Sequence, residues 1–171
     1  MVEDFAQLLG RTRDTKYDSS MEQVISAIDR NCTFPLIEKV RLFRLTLFNY
    51  LIGNEDMHLK NFSLIAREGK VQLSPSYDLV NTTIAIGNAS EEIALPIDGR
   101  KRNLSRSLLV EYFGHQRLGL RPRVIDDVLT EIARAIREWG TIINVSFLSA
   151  TAKKEYSDLL LERARILSLT T

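Results

Sequence analysis

A single cysteine, Cys32, in 171 residues excludes an intramolecular disulfide framework and suits a reducing compartment. The two histidines, His58 and His115, lie in separate segments and are too few for a histidine-rich metal cage. No run of about 18 apolar residues occurs, so no segment reads as a membrane span. Met1 to Gly10 carries Glu3 and Asp4 and no basic stretch, so it does not read as a signal peptide. The 23 Lys and Arg against 22 Asp and Glu leave a net charge of +1, too small for a global field that draws polyanions. The 8 glycines are scattered, and no glycine-rich phosphate loop is present. There is no internal repeat and no low-complexity tract. What remains is ordinary globular usage, 44% apolar and 26% charged, in a chain long enough to bury one core. A cytoplasmic, single-domain protein away from membranes is the expectation.

The apolar pattern predicts a mainly α fold with a small β-hairpin insertion (α+β). Residues 3–9 and 20–31 have short helical patterns, with a polar loop from Gly10 to Ser20 between them. Residues 35–52 carry the strongest helical signal. Pro35 suits a first helical position, and Leu36, Val40, Phe43, Leu47 and Leu51 recur at steps of three or four. Leu42, Leu45, Phe48 and Ile52 widen that stripe, which predicts burial on most sides, and Gly53 ends it. Phe62–Ala66 and Lys70–Leu73 flank Arg67-Glu68-Gly69 and predict a hairpin. Residues 74–92 read as irregular, 93–97 as a further strand, and Asp98-Gly99 as a turn. Helices are expected again over 104–113, 122–139 and 151–168, the second closed by Gly140.

Chemistry concentrates between the long helix and the hairpin, in Gly53-Asn54-Glu55-Asp56-Met57-His58-Leu59-Lys60-Asn61. A polar loop on a rigid apolar support is a common site architecture. The hairpin should return Tyr77-Asp78 close to Asn61, so that Asp56, Asn61 and Asp78 converge. Magnesium takes oxygen ligands, commonly one or two carboxylates together with substrate phosphates. Asn61 and Asp78 supply such oxygens. Asp56 is placed to take a proton from a hydroxyl nucleophile, and Lys60 to neutralise charge on a phosphoryl group. Taken singly, each residue has a plainer reading. A loop Asp is ordinarily a turn residue or cap, Lys60 a solvated surface cation, and His58 with two carboxylates a transition-metal site. The joint pattern of Asp-x-x-x-Lys-Asn, hairpin and Tyr-Asp sets phosphoryl transfer above these.

At these residues the chain resembles the carboxy-terminal lobe of HipA-like serine/threonine kinases, the toxins of bacterial toxin–antitoxin pairs. The matching words are Glu3-Asp4-Phe5 with Gln7, Lys16-Tyr17, Phe48-Asn49-Tyr50-Leu51-Ile52-Gly53-Asn54, and Asp56-x-His58-x-Lys60-Asn61-Phe62-Ser63. Leu73-Ser74-Pro75-x-Tyr77-Asp78-Leu79 and Leu95-Pro96-Ile97-Asp98-Gly99 follow in the family's order. The resemblance implies the helical lobe of a protein-kinase-like fold using ATP and Mg²⁺. It implies Asp56 as the catalytic proton acceptor with Lys60 beside it, and Asn61 and Asp78 as metal ligands. His58, Lys60, Asn61, Tyr77 and Asp78 become the nucleotide-binding set. The implied partners are a helix-turn-helix antitoxin, DNA through that complex, and a protein substrate, which in relatives can be an aminoacyl-tRNA synthetase.

The departures matter equally. A kinase needs a glycine-rich loop and a strand lysine over the phosphates, and residues 1–171 hold neither, nor the family's adenine hinge. The reading is one lobe whose isolated form transfers phosphate negligibly and needs an amino-terminal lobe. The apolar residues of 1–9 and 62–64 read as the face that lobe covers. Arg100 to Arg123 holds seven Lys or Arg and one acid, Glu111, a candidate patch for DNA or an acidic partner. Two other readings stay open: a non-catalytic lobe that binds an antitoxin or DNA, and a metal-dependent phosphohydrolase.

Overall fold

The computed structural model describes residues 2–87 and 90–169. Helix α3, Pro35–Ile52, is the axis of the molecule. Leu42, Phe43, Leu47 and Leu51 of the expected stripe are fully buried, as is Tyr50, whereas Leu36 in the first turn is 60% exposed. Helix α2, Met21–Asn31, packs on it through Val24, Ile25 and Ile28. The long helix α5, Pro122–Val145, and helix α6, Ala150–Ile166, cover further sides.

The sheet has three antiparallel strands in the order β1-β2-β3. Strands β2, Ser63–Arg67, and β3, Lys70–Leu73, form the expected hairpin, with Arg67 paired to Lys70. Glu68 and Gly69 both have positive φ, 51° and 73°, the two-residue turn whose twist matches its strands. The third strand corrects the helical expectation for 3–9. Residues Val2–Asp4 form β1, pairing Asp4 with Ser63 and Val2 with Ile65. Only Phe5–Leu8 is helical, as the one-turn α1. Asp4 stops the strand and caps that turn: its carboxylate accepts the Gln7 N–H at 2.8 Å, and the Gln7 side chain accepts the Asp4 N–H.

Residues 93–97 form no strand. Only an isolated bridge joins Ile97 to Arg100 around the Asp98-Gly99 turn. Ile93, Ala94 and Leu95 are consecutive and all buried, and Pro96 has no N–H to give to a ladder. The helix expected over 104–113 lies at Ser107–Arg117 and is wound as a π-helix, as in Leu118 N–H to Phe113 O, 2.9 Å. Gly140 does not end α5. Ile136 and Ile143 continue its buried face on either side, and that burial outweighs one glycine. Residues 74–92 are irregular except for the short α4, Thr82–Ile86; Asn88 and Ala89 lie outside the described residues.

Of the apolar residues expected to face another lobe, Val2 is 61% exposed and Leu8 and Leu9 are half-buried, while the other described ones are covered by this chain. Phe5, Ala6, Phe62 and Leu64 are buried, and the Phe5 and Phe62 rings meet edge to face at 6.0 Å. Met1 lies outside the described residues. No described helix is long and apolar enough to cross a membrane.

Candidate active site

The site begins where α3 ends. Gly53 has φ 77°, and a Cβ there would lie 2.7 Å from Leu159 and 2.8 Å from the Thr83 hydroxyl. Glycine meets both demands of the position, the left-handed turn and the close approach. Its carbonyl accepts the N–H groups of Thr82 and Thr83, so α4 docks directly on the turn.

Asn54 is 1% exposed and holds the two halves of the site together. Its Nδ2 donates to Asn49 Oδ1 at 2.8 Å and to the Asp78 carbonyl at 3.1 Å, and its Oδ1 accepts the Asp56 N–H. Asp78 is held at φ 57°, a left-handed conformation that costs an ordinary residue about 1–2 kcal/mol. Asn61, on the short 3₁₀ turn Leu59–Asn61, closes the arrangement. Its Nδ2 donates to Asp78 Oδ2 at 2.9 Å and to the Asp56 carbonyl at 3.1 Å. The structure therefore joins the Asn61 and Asp78 side chains and ties Asn61 to the Asp56 backbone, while the Asp56 carboxylate is bonded elsewhere, to Tyr17.

The donor set has a clear chemical preference. Among the described residues no group of three or more His, Cys, Asp or Glu is placed to hold a metal, so a self-sufficient transition-metal cage is not built here. Both partners of the Asn61 amide nitrogen are acceptors, which orients its Oδ1 as the uncommitted oxygen. An amide oxygen beside one or two carboxylates fits a hard cation that keeps phosphate and water as its other ligands.

The remaining expected residues are placed differently. The Lys60 ammonium pairs with Asp4 Oδ2 at 2.9 Å rather than with either site carboxylate. Partial burial opposes the Asp4 charge, but the Gln7 N–H and Lys60 outweigh it and hold that carboxyl below its usual range. The Tyr77 hydroxyl donates to the Lys60 carbonyl at 2.7 Å and lies 2.6 Å from Ser63 Oγ, so it bolts the Asp78 segment to the loop backbone. His58 is buried, with Lys16 Nζ 2.6 Å from its Nε2. Lys16 has only protons to offer, so Nε2 accepts and the ring proton sits on Nδ1, which has no partner among the described residues.

Burial first, and then the Lys16 charge, lowers the His58 pKa. The ring stays neutral in the folded chain while the unfolded chain takes up a proton near pH 6.5. The unfolded state then binds more protons, and stability falls as pH drops through that value. Urea midpoints between pH 7.5 and 5 should show this loss, at most about 1.4 kcal/mol per pH unit for one proton. His58→Gln should flatten the slope, and an unchanged slope would put the proton uptake elsewhere.

Sequence reasoning quoted Lys16-Tyr17 without giving it a role. The Tyr17 hydroxyl donates to Asp56 Oδ1, and its ring meets His58 edge-on at 5.1 Å. Glu55 and Arg163 were also missed; they form a buried pair behind the loop. Beside Asn61, a groove of about 580 Å³ opens between α3, the hairpin and residues 74–79, walled by Leu45, Phe48, Ile65 and Leu79. Five of the seven cations of the basic segment are exposed, Arg100, Arg102, Arg117, Arg121 and Arg123. Of the other two, Arg106 turns inward to the Leu167 carbonyl and Lys101 pairs with Glu91 at 3.2 Å.

Several proteins similar to this chain carry the name kinase. A putative kinase of Sinorhizobium fredii, Y4dM, is 40% identical over 82 residues, 47% of this chain and 20% of that protein. The Shewanella oneidensis HipA solved with HipB and operator DNA superposes with a TM-score of 0.79 at 26% identity, covering 98% of this chain and 44% of HipA. The Helicobacter pylori proinflammatory kinase CtkA shares the fold at 18% identity, with a TM-score of 0.67 over 99% of this chain and 66% of CtkA. The chain thus spans less than half the length of its HipA and Sinorhizobium relatives. The HipA-like C-terminal domain family matches residues 1–139, and the chain belongs to that family.

Proposed function

We propose that this chain is the catalytic half of a HipA-like serine/threonine kinase, transferring the γ-phosphoryl group of Mg-ATP to a protein hydroxyl once a second half covers the nucleotide. The observation that carries the reading is Asn61, whose amide nitrogen bridges the Asp56 loop and the Asp78 carboxylate and leaves Oδ1 for a cation. Asn61 and Asp78 hold Mg²⁺, which neutralises phosphate charge when bound. Asp56 accepts the proton of the acceptor hydroxyl. Lys60, partly exposed, exchanges Asp4 for phosphoryl oxygens. His58 backs Asp56, and Tyr77 fixes Asp78 rather than touching nucleotide. A scaffold that only binds a partner has no need of an amide and a carboxylate joined beside the loop of a second carboxylate.

The exposed groove beside Asn61 offers apolar surface to the second half. The Shewanella oneidensis relative was solved with HipB and operator DNA, and an antitoxin of that kind, with DNA beyond it, is the proposed regulatory partner. The protein substrate is one that presents a serine or threonine hydroxyl. The setting is the cytoplasm, where ATP is abundant.

Nucleotide-induced thermal shifts test the reading. Mg-ATP should barely move the melting temperature of this chain alone. Mixed with the amino-terminal half of Shewanella oneidensis HipA, it should stabilise by about 2.7 kcal/mol at a hundred times Kd. That is on the order of 5–10 °C at this size. A mixture that ignores Mg-ATP overturns the proposal.

A further inference from the structure

The segment Lys16-Tyr17 is strapped across the loop of Asp56 at three points. The Lys16 carbonyl accepts the Leu59 N–H at 3.3 Å. Lys16 Nζ lies 2.6 Å from His58 Nε2. The Tyr17 hydroxyl donates to Asp56 Oδ1. Among the described residues, it is the hydroxyl that hydrogen-bonds the Asp56 carboxylate. Its ring packs edge-on against His58, so the phenol is held by packing as well as by the bond. Tyr17 is nonetheless 40% exposed, and nothing seals it in.

A general base must lie within hydrogen-bond reach of the proton it abstracts. If Asp56 is that base, the hydroxyl already bonded to it occupies the acceptor's position. We propose that Tyr17 is this chain's own phosphoryl acceptor, a tyrosine modification site built onto the catalytic loop and labelled in cis. The inference rests on the kinase reading above and goes beyond its serine/threonine chemistry.

The step balances without a further reagent. The Tyr17 oxygen attacks the γ-phosphorus of a nucleoside triphosphate, and a phenolic O–P bond forms. The bond from that phosphorus to the bridging oxygen breaks, and its electron pair leaves with the nucleoside diphosphate. The phenolic proton passes to Asp56 Oδ1. Burial, together with the Asp56 bond, pushes the Tyr17 pKa up to about 12, so the phenol carries its proton at neutral pH and needs a base to remove it. The product has lost its O–H donor and carries a charge of about −1.5 to −2. Beside Asp56 that charge is repelled, the strap leaves, and the site opens to an external hydroxyl.

The test mixes this chain with the amino-terminal half of Shewanella oneidensis HipA and adds Mg-ATP. Peptide mass spectrometry maps phosphate, and released ADP reports turnover of any kind. Phosphate on Tyr17 is expected, at a rate constant that does not change on dilution of the complex at saturating second half. Asp56→Asn should lower that rate by about 10²-fold or more. Amide hydrogen exchange over residues 11–20 should rise after labelling, whereas in Tyr17→Phe it should not change on adding the same nucleotide. ADP release with Tyr17 unmodified overturns the inference and leaves the kinase reading standing. Labelling that scales with chain concentration overturns the cis step. No ADP release at all removes both.

Discussion

Asp56→Ala should abolish phosphoryl transfer in the reconstituted pair while leaving the fold almost untouched. Removing a positioned general base costs about 10²–10⁴-fold in rate, and the check is single-turnover transfer at saturating Mg-ATP. The fold should survive because the loop holds Asp56 through its backbone. Its N–H donates to Asn54 Oδ1, and its carbonyl accepts both the Asn61 amide and the His58 N–H, the last at 2.8 Å. The side chain bonds only Tyr17 among the described residues, so the urea midpoint should move by no more than an ordinary surface substitution, about 0.5 kcal/mol. Asp56→Asn keeps the shape and hydrogen-bonding reach but cannot take a proton, so it should fail nearly as badly. A rate unchanged in either variant means that another group receives the proton.

Local rules accounted for the axis of the fold and for the meeting of the site residues. Helix α3 announces itself through Pro35, a wide apolar stripe and a stop glycine, and all three operate as their chemistry dictates. The hairpin was legible because Glu68-Gly69 admits one tight turn, and that turn fixes how far Asp78 returns toward Asn61. Elements fixed by tertiary context were not legible. Val2–Asp4 is too short to show alternation and becomes a strand only because β2 offers an edge. Gly140 looked like a terminus because the continuing burial at Ile143 is a packing fact. Residues 93–97 have strand composition, yet Pro96 and an unbroken buried run remove the ladder.

The same division holds within the site. Asp56, Asn61 and Asp78 lie on segments joined by a short hairpin, so their approach was legible in the spacing, and Asn54 and Tyr77 then fix it. The contacts that adjust them reach across far longer separations. Tyr17 meets Asp56 over 39 residues, Lys60 meets Asp4 over 56, and Arg163 reaches Tyr50 over 113. No local pattern carries such pairings. The charge of Lys60 pointed to phosphate, and only the fold shows Asp4 holding its ammonium.

Arg163→Met should cost about 3–5 kcal/mol, because it leaves a buried carboxylate without its cation. Arg163 lies on α6 and is 5% exposed. It donates to the Tyr50 carbonyl at the end of α3, and its guanidinium lies 4.9 Å from the Tyr50 ring centroid. Its Nη2 is 3.7 Å from Glu55 Oε1, which also accepts the Thr83 hydroxyl at 2.5 Å. The last helix therefore grips the residue next to Asp56 and the helix that delivers it. Methionine fills the stem volume, so the loss isolates charge and hydrogen bonding from packing. Domains of this kind are stable by only about 5–15 kcal/mol, so urea denaturation should show a midpoint lowered by a large fraction. Burial already raises the Glu55 pKa against the pull of Thr83 and Arg163, and removing Arg163 raises it further. A carboxyl raised on folding binds its proton more readily in the native state, so its stabilising effect is present at low pH and lost as pH rises. The variant should thus recover, relative to the parent, between pH 7 and pH 5. Adding Glu55→Gln to Arg163→Met should restore part of the loss at pH 7 and erase the recovery at pH 5, since neutral glutamine needs neither cation nor proton. If the double variant is as unstable as the single one and keeps the same pH profile, the loop is held by the Arg163–Tyr50 contact alone and the buried pair contributes nothing to positioning Asp56.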